Sequence, residues 1–130
     1  MDRSADWMAQ AERDLDFARY SQRGDYFDWA CFSAQQSGEK AAKAALQHMG
    51  MDAWGHSVAG LMAAIATAHS VSESIHDAAA ELDKAYIPTR YPDALPSGAP
   101  GTSYRRPEAE RLIAHAEQIV RFCQSLLPRI

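Results

Sequence analysis

The sequence predicts an all-α protein: an up-and-down antiparallel helical bundle of about five helices, in one domain spanning residues 1–130. Apolar residues recur at helical spacing in five segments, and no stretch alternates β-branched with polar residues as a strand does. The chain has 130 residues, of which 47% are hydrophobic. That is enough apolar material for one core without disulfides or a structural metal.

The first helix is predicted from Ser4 to about Gln22. Its apolar stripe recurs at steps of four, four and three residues, as one face of a helix requires: Trp7, Ala11, Leu15 and Ala18. Glycine then ends the helix at position 24. Asp25 is expected to cap the following helix through its side-chain oxygen.

The second helix is predicted from about Tyr26 to Met49, and its centre is unusually rich in small residues: Ala30, Ser33, Ala34, Ser37, Gly38, Ala41, Ala42, Ala44 and Ala45. Small side chains let neighbouring helices approach closely. The pattern therefore predicts a central helix that is contacted on more than one side.

Two shorter helices and a last long one complete the predicted bundle. The third helix begins around Ser57, and the fourth runs from near Ser72 to about Tyr86. Prolines at positions 88, 92, 96 and 100 are expected to exclude helix across Ile87–Thr102. The last helix begins at Arg106 or the proline after it, because proline suits a first helical turn.

Composition limits the classes of function. The formal net charge of −4 argues against a dedicated duplex-binding protein, which needs a strongly basic face. Cys31 and Cys123 fit no zinc or disulfide spacing and are expected to be buried small hydrophobic residues. No apolar run is long enough for a membrane helix and no signal peptide is evident, so a cytoplasmic protein without membrane contact is expected.

Two polar motifs are candidates for function. The second helix carries a polar group within its small residues: Gln35, Gln36, Glu39, Lys40 and Lys43. One interpretation is a solvated face with an intrahelical Glu39–Lys43 pair, and the other is that a lysine meets a ligand phosphate or an acidic partner. The second motif spans the end of the fourth helix and the segment after it, which prolines stiffen, and it contains Tyr86, Arg90, Tyr91 and Asp93. Its arginine either bridges carboxylates structurally or holds a base and a phosphate.

The order of these motifs resembles the HEPN domain family (higher eukaryotes and prokaryotes nucleotide-binding). The likeness rests on the segments Cys31–Ala44, His56-Ser57 and Leu82–Asp93, with Trp7 before them and Tyr104 after. The resemblance implies a homodimeric helical bundle that acts as partner or substrate-binding component of a minimal nucleotidyltransferase, often in a toxin–antitoxin-like pair. It also implies a nucleotide or RNA as ligand. The chain also has three tryptophans, which is a large amount of apolar side-chain surface for a small bundle to bury and likewise favours a dimer.

Some HEPN relatives are RNases with an Arg-x4–6-His motif, and here the nearest spacing is Arg111-x3-His115. RNA cleavage is therefore not expected, although an RNase toxin with a degenerate site and a purely structural dimer remain the alternatives. Glu73 and His76 form a single Glu-x-x-His, whereas a di-iron bundle needs two copies. No metal and no cofactor are expected.

The ligand site is expected where the proline-rich loop meets the second helix. His56 is included because it precedes a helix N-terminus, although capping or packing is an equally simple role for it. Arg105 and Arg106 are expected to converge on the same place from the start of the last helix. The predicted ligand-binding residues are Gln36, Lys40, Lys43, His56, Tyr86, Arg90, Tyr91 and Asp93.

Overall fold

The computed structural model describes residues 1–128, and it confirms the all-α bundle. No strand occurs in this range. The elements in order are α1 (Ser4–Arg23), α2 (Phe27–His48), α3 (Val58–Ile65), α4 (Glu73–Asp83), a 3₁₀ turn (Pro92–Ala94), α5 (Pro100–Ser103) and α6 (Arg106–Ser125). Across the described part of the chain, no helix is both long and apolar enough to cross a bilayer.

Helix α2 lies at the centre of the bundle. It packs against α1, α3, α4 and α6, and the three-residue turn before it makes α1 and α2 an antiparallel hairpin. Its small residues permit this, since most of them are fully buried. A side chain at Gly38 would place its Cβ 3.0 Å from Leu82 Cδ1, so a larger residue here would require the Leu82 side chain of α4 to shift by a few tenths of an ångström.

The core is filled by the apolar stripes of all the long helices. Its largest fully buried side chains include Leu46, Met62, Ile65 and Ile119. Both cysteines lie within this core, and burial raises the pKa of each thiol to about 12. The expectation that they act as small hydrophobic residues agrees with this environment.

Two local predictions were wrong. The prolines do not exclude helix from Ile87–Thr102, because Pro92 and Pro100 each begin a short helical turn, where a missing N–H costs nothing. Asp25 does not cap α2; it adopts a left-handed conformation with φ of 65° in the turn, and the N-cap residue, Tyr26, makes no side-chain cap bond.

The N-terminus of α3 is fastened to the end of α4. The Ser57 hydroxyl accepts a hydrogen bond from the Gly60 N–H, an ordinary N-cap. The carboxylate of Asp83 then accepts three further bonds, from the Ser57 hydroxyl and from the N–H groups of Val58 and Ala59. This clamp fixes the chain immediately after His56.

A second ion cluster joins α4 to α6. Arg111 donates to the Glu81 carboxylate at 3.0 Å, and His115 Nε2 contacts the same carboxylate. Partial burial alone would raise the pKa of Glu81, but the hydrogen bond to His115 and the charge of Arg111 outweigh it. The pKa of Glu81 therefore lies below its usual value of 4.5.

We expect Glu81 to make the stability of the bundle sensitive to acid. Because folding lowers its pKa, its ionised form contributes stability that is fully present above pH 4.5 and is lost as pH falls through the lowered pKa. We expect urea unfolding from about pH 7 to about pH 3 to show the free energy of unfolding of wild type falling toward that of Glu81→Gln. The exposed Glu110→Gln is the control, and an equal pH-dependent difference for both variants would contradict this account.

Candidate nucleotide-binding site

An aromatic stack lies between the start of α3 and the end of α4. The rings of His56 and Tyr86 stack with their centroids 4.7 Å apart and their planes 17° apart. Phe32 of α2 lies beside them, with its centroid 6.3 Å from that of Tyr86. Three separate elements therefore contribute rings to one surface, and the His56 side chain remains 57% exposed there.

The guanidinium of Arg90 sits among the aromatic rings of this surface. Its Cζ atom is 4.4 Å from the ring centroid of Phe32, 4.8 Å from that of Tyr86 and 5.2 Å from that of Tyr91. Its Nε donates to the Tyr86 carbonyl at 3.0 Å. Among residues 1–128, no carboxylate lies within 4.0 Å of this guanidinium. The rings thus hold a cation in place while leaving its charge uncompensated.

A buried polar network supports the stack from beneath. Glu39 is only 3% exposed, and its carboxylate accepts bonds from Gln35 Nε2 at 3.3 Å and from Lys43 Nζ at 3.0 Å. His56 Nδ1 lies 3.3 Å from both carboxylate oxygens. Gln35 also donates to the His56 carbonyl at 3.0 Å and accepts a bond from Gln36 at 2.8 Å. The carboxylate orients the imidazole in this way and leaves Nε2 as the ring nitrogen available to a ligand.

The structure brings together most of the predicted residues but not all of them. Lys40 does not point to this surface; it forms an ion pair with Asp14 of α1 at 2.6 Å. Arg106 likewise pairs with Asp25 at 2.8 Å, so the expected convergence of these cations on the loop is not observed. Asp93 is exposed in the 3₁₀ turn and forms no ion pair within residues 1–128.

The first interpretation of the polar group of α2, a solvated face with a Glu39–Lys43 pair, is only partly right, and a lysine contact with a ligand phosphate or an acidic partner stays a prediction. The expected Glu39–Lys43 pair exists, with Lys43 also 5.5 Å from the ring centroid of Trp7. The solvated face is wrong for Gln35 and Glu39, which are 0% and 3% exposed. The sequence analysis placed Gln35 and Glu39 in a candidate polar motif but missed their buried role beneath the site, and it did not name Phe32 as a site residue. A glutamine and a glutamate four residues apart within a run of small buried residues were the available signal.

The remaining chemical candidates have other partners. Arg111 and His115, the pair closest to an RNase motif, are both held by Glu81. Within the described residues, no group of three or more histidine, cysteine, aspartate or glutamate side chains is placed to hold a metal ion.

Comparison with known proteins gives the class of this chain. The model of the HEPN domain matches residues 4–126, and the chain belongs to the HEPN domain family. No curated protein matches the sequence significantly.

Solved structures of similar chains share the whole fold. TT1696 from Thermus thermophilus is 42% identical with a TM-score of 0.94, covering 98% of this chain and 100% of its own. ST0689, an archaeal HEPN homologue, is 40% identical with a TM-score of 0.82 and coverages of 96% and 98%. The HEPN domain protein tm0613 from Thermotoga maritima is 46% identical with a TM-score of 0.78 and coverages of 95% and 98%.

Proposed function

We propose that this HEPN domain protein binds a nucleotide, or a nucleotide end of RNA, on the surface formed by His56, Tyr86, Arg90 and Tyr91. One observation carries the proposal: the Arg90 guanidinium is fixed by three aromatic rings and has no carboxylate partner among residues 1–128. A ligand that carries an anionic group would supply the ion-pair partner of this guanidinium. Phosphate matches the planar fork of arginine through paired hydrogen bonds.

The neighbouring groups suit the rest of a nucleotide. Tyr91 is 50% exposed, and in this proposal its ring stacks with the base. His56 Nε2 offers a second polar contact, and its orientation is set by Glu39. In this proposal Lys43 does not touch the ligand. It pairs with the Glu39 carboxylate beneath the surface and balances its charge.

The biological role we propose is that of a binding component of a minimal nucleotidyltransferase, acting in the cytoplasm as a homodimer and possessing no nuclease activity of its own. Membership of the HEPN family supports the assignment, as does the capture of Arg111 and His115 by Glu81. A toxin–antitoxin-like pair is the setting in which such a partner would act. The alternatives are an RNase toxin with a degenerate site and a structural dimer.

Calorimetric titration with ATP, GTP and inorganic triphosphate tests the binding function. We expect saturable binding of at least one nucleotide and weaker binding of triphosphate alone, because the rings contribute stacking as well as charge. Arg121→Ala, which removes an exposed arginine of α6, controls for net charge and should bind like wild type. The absence of binding by every nucleotide at millimolar concentration would contradict the proposal.

A further inference from the structure

A second aromatic surface surrounds the turn between α1 and α2. Phe17 and Tyr20 of α1 are 50% and 68% exposed, while Tyr26 and Trp29 are 64% and 46% exposed. All four line one open cleft of about 500 Å³. We call these four residues the turn surface; none of them belongs to the nucleotide site proposed above.

The exposed area of the turn surface is large for a small protein in isolation. Four aromatic side chains of roughly 150–250 Å² each, about half exposed, present on the order of 400–500 Å². That is near the upper end of the largest apolar patch on a typical monomer. It is also more than half of the ~800 Å² that each partner contributes to a standard stable interface.

We propose that the turn surface is the face through which two copies of this chain associate. The inference rests on the homodimer proposed above and adds the location of its interface. Tyrosine, tryptophan and arginine are the residue types most enriched where protein interfaces gain their affinity. In a two-fold dimer the same patch meets itself, so each cleft receives an aromatic side chain of the other copy.

The charges along α1 support a second copy as the occupant. Arg13 and Arg23 lie beside the rings, the latter with its Cζ atom 5.8 Å from the ring centroid of Tyr20. Neither arginine has a carboxylate within 4.0 Å among the described residues. Asp16, on the same wall, is 79% exposed; its Oδ1 accepts a hydrogen bond from Arg19 at 3.2 Å, while its Oδ2 makes no hydrogen bond among the described residues. A face that carries both unpaired cations and an exposed carboxylate is complementary to a copy of itself.

The turn surface adjoins the nucleotide site through one contact. The ring of Trp29 meets that of Phe32 edge-on, with centroids 6.1 Å apart, and Phe32 lies beneath Arg90. The turn surface therefore borders the proposed nucleotide site.

Light scattering after gel filtration tests the interface at tens of micromolar protein. Wild type is expected as a dimer, and Tyr20→Asp as a monomer, because the substitution replaces the most exposed ring of the turn surface with a carboxylate whose hydration the interface would remove. Trp54→Asp is the matched control: it is an aromatic residue that is 83% exposed beyond the other end of α2, and it should remain dimeric. A monomeric wild type would overturn both the dimer and its interface; a dimeric Tyr20→Asp would overturn the interface alone.

Crosslinking gives a second readout, because it joins neighbouring copies covalently even when the substitution weakens their association. Because Cys31 and Cys123 are buried, a cysteine introduced at position 20 is the accessible thiol of the described chain. A short bis-maleimide should join two copies of Tyr20→Cys but not of Ala114→Cys on the exposed face of α6. The opposite pattern would overturn the proposed interface. Nucleotide binding is measured separately at Arg90, so either proposal can fail without the other.

Discussion

Replacing Arg90 by alanine is expected to weaken nucleotide binding at least tenfold, which corresponds to about 1.4 kcal/mol. The substitution removes the guanidinium that three rings hold in position, and among the described residues no other cation occupies this surface without a carboxylate partner. Calorimetric titration of the nucleotide that binds wild type most tightly is the measurement.

Arg90→Lys separates charge from shape. Lysine keeps the positive charge but loses the planar fork and its stacking, so we expect an affinity between those of wild type and Arg90→Ala. Thermal unfolding of each variant shows whether the fold survives loss of the hydrogen bond to Tyr86. Unchanged affinity in Arg90→Ala would contradict the site, and unfolding of both variants would assign Arg90 a structural role instead.

Asp83→Ala is expected to lower the free energy of unfolding by about 2–4 kcal/mol. The carboxylate accepts bonds of 2.8, 2.6 and 3.1 Å from the Ser57 hydroxyl and the N–H groups of Val58 and Ala59. Hydrogen bonds to a charged group contribute roughly 1.5–3 kcal/mol each, but three bonds to one carboxylate are not additive. The negative charge also complements the helix dipole at the N-terminus of α3.

Urea unfolding measures this loss of stability, and two further variants serve as comparisons. Asp83→Asn keeps one oxygen acceptor and should lose less stability than Asp83→Ala. Asp77→Ala changes an exposed aspartate on the same helix and should stay within about 0.5 kcal/mol of wild type. Equal effects at the two positions would show that the clamp contributes nothing particular to stability.

The helices followed from local rules that act within a few residues. Periodicity predicted the long helices to within a few residues, and the serines before α3 and α4 occupy the N-cap positions. The same local rules failed at Pro92 and Pro100, because a proline that interrupts one helix can also begin another. Asp25 failed as a cap because it lies one residue before the N-cap position, which Tyr26 occupies, and adopts a left-handed turn conformation.

The site was less predictable because it depends on which face of α2 meets α3 and α4. Sequence motifs identified His56, Tyr86 and Arg90, which the fold brings together. Lys40 was grouped with them because it belongs to the same polar group of the second helix as Lys43, and the turn of the helix directs it toward α1. Glu39 was treated as one half of a surface pair, whereas packing of α2 buries it beneath His56. Tertiary packing decides which residues of α2 face the site, and the spacing of residues within one helix does not specify that packing.

The central claim is that a nucleotide binds over Arg90, and nuclear magnetic resonance of labelled protein tests it most directly. During titration with nucleotide, we expect the largest shifts at Arg90 Nε, at the His56 ring and at the side-chain amides of Gln35 and Gln36, which are linked to it. Tyr20 and its neighbours on the turn surface should change little. Binding that perturbs the turn surface and leaves Arg90 and His56 unmoved would contradict the account.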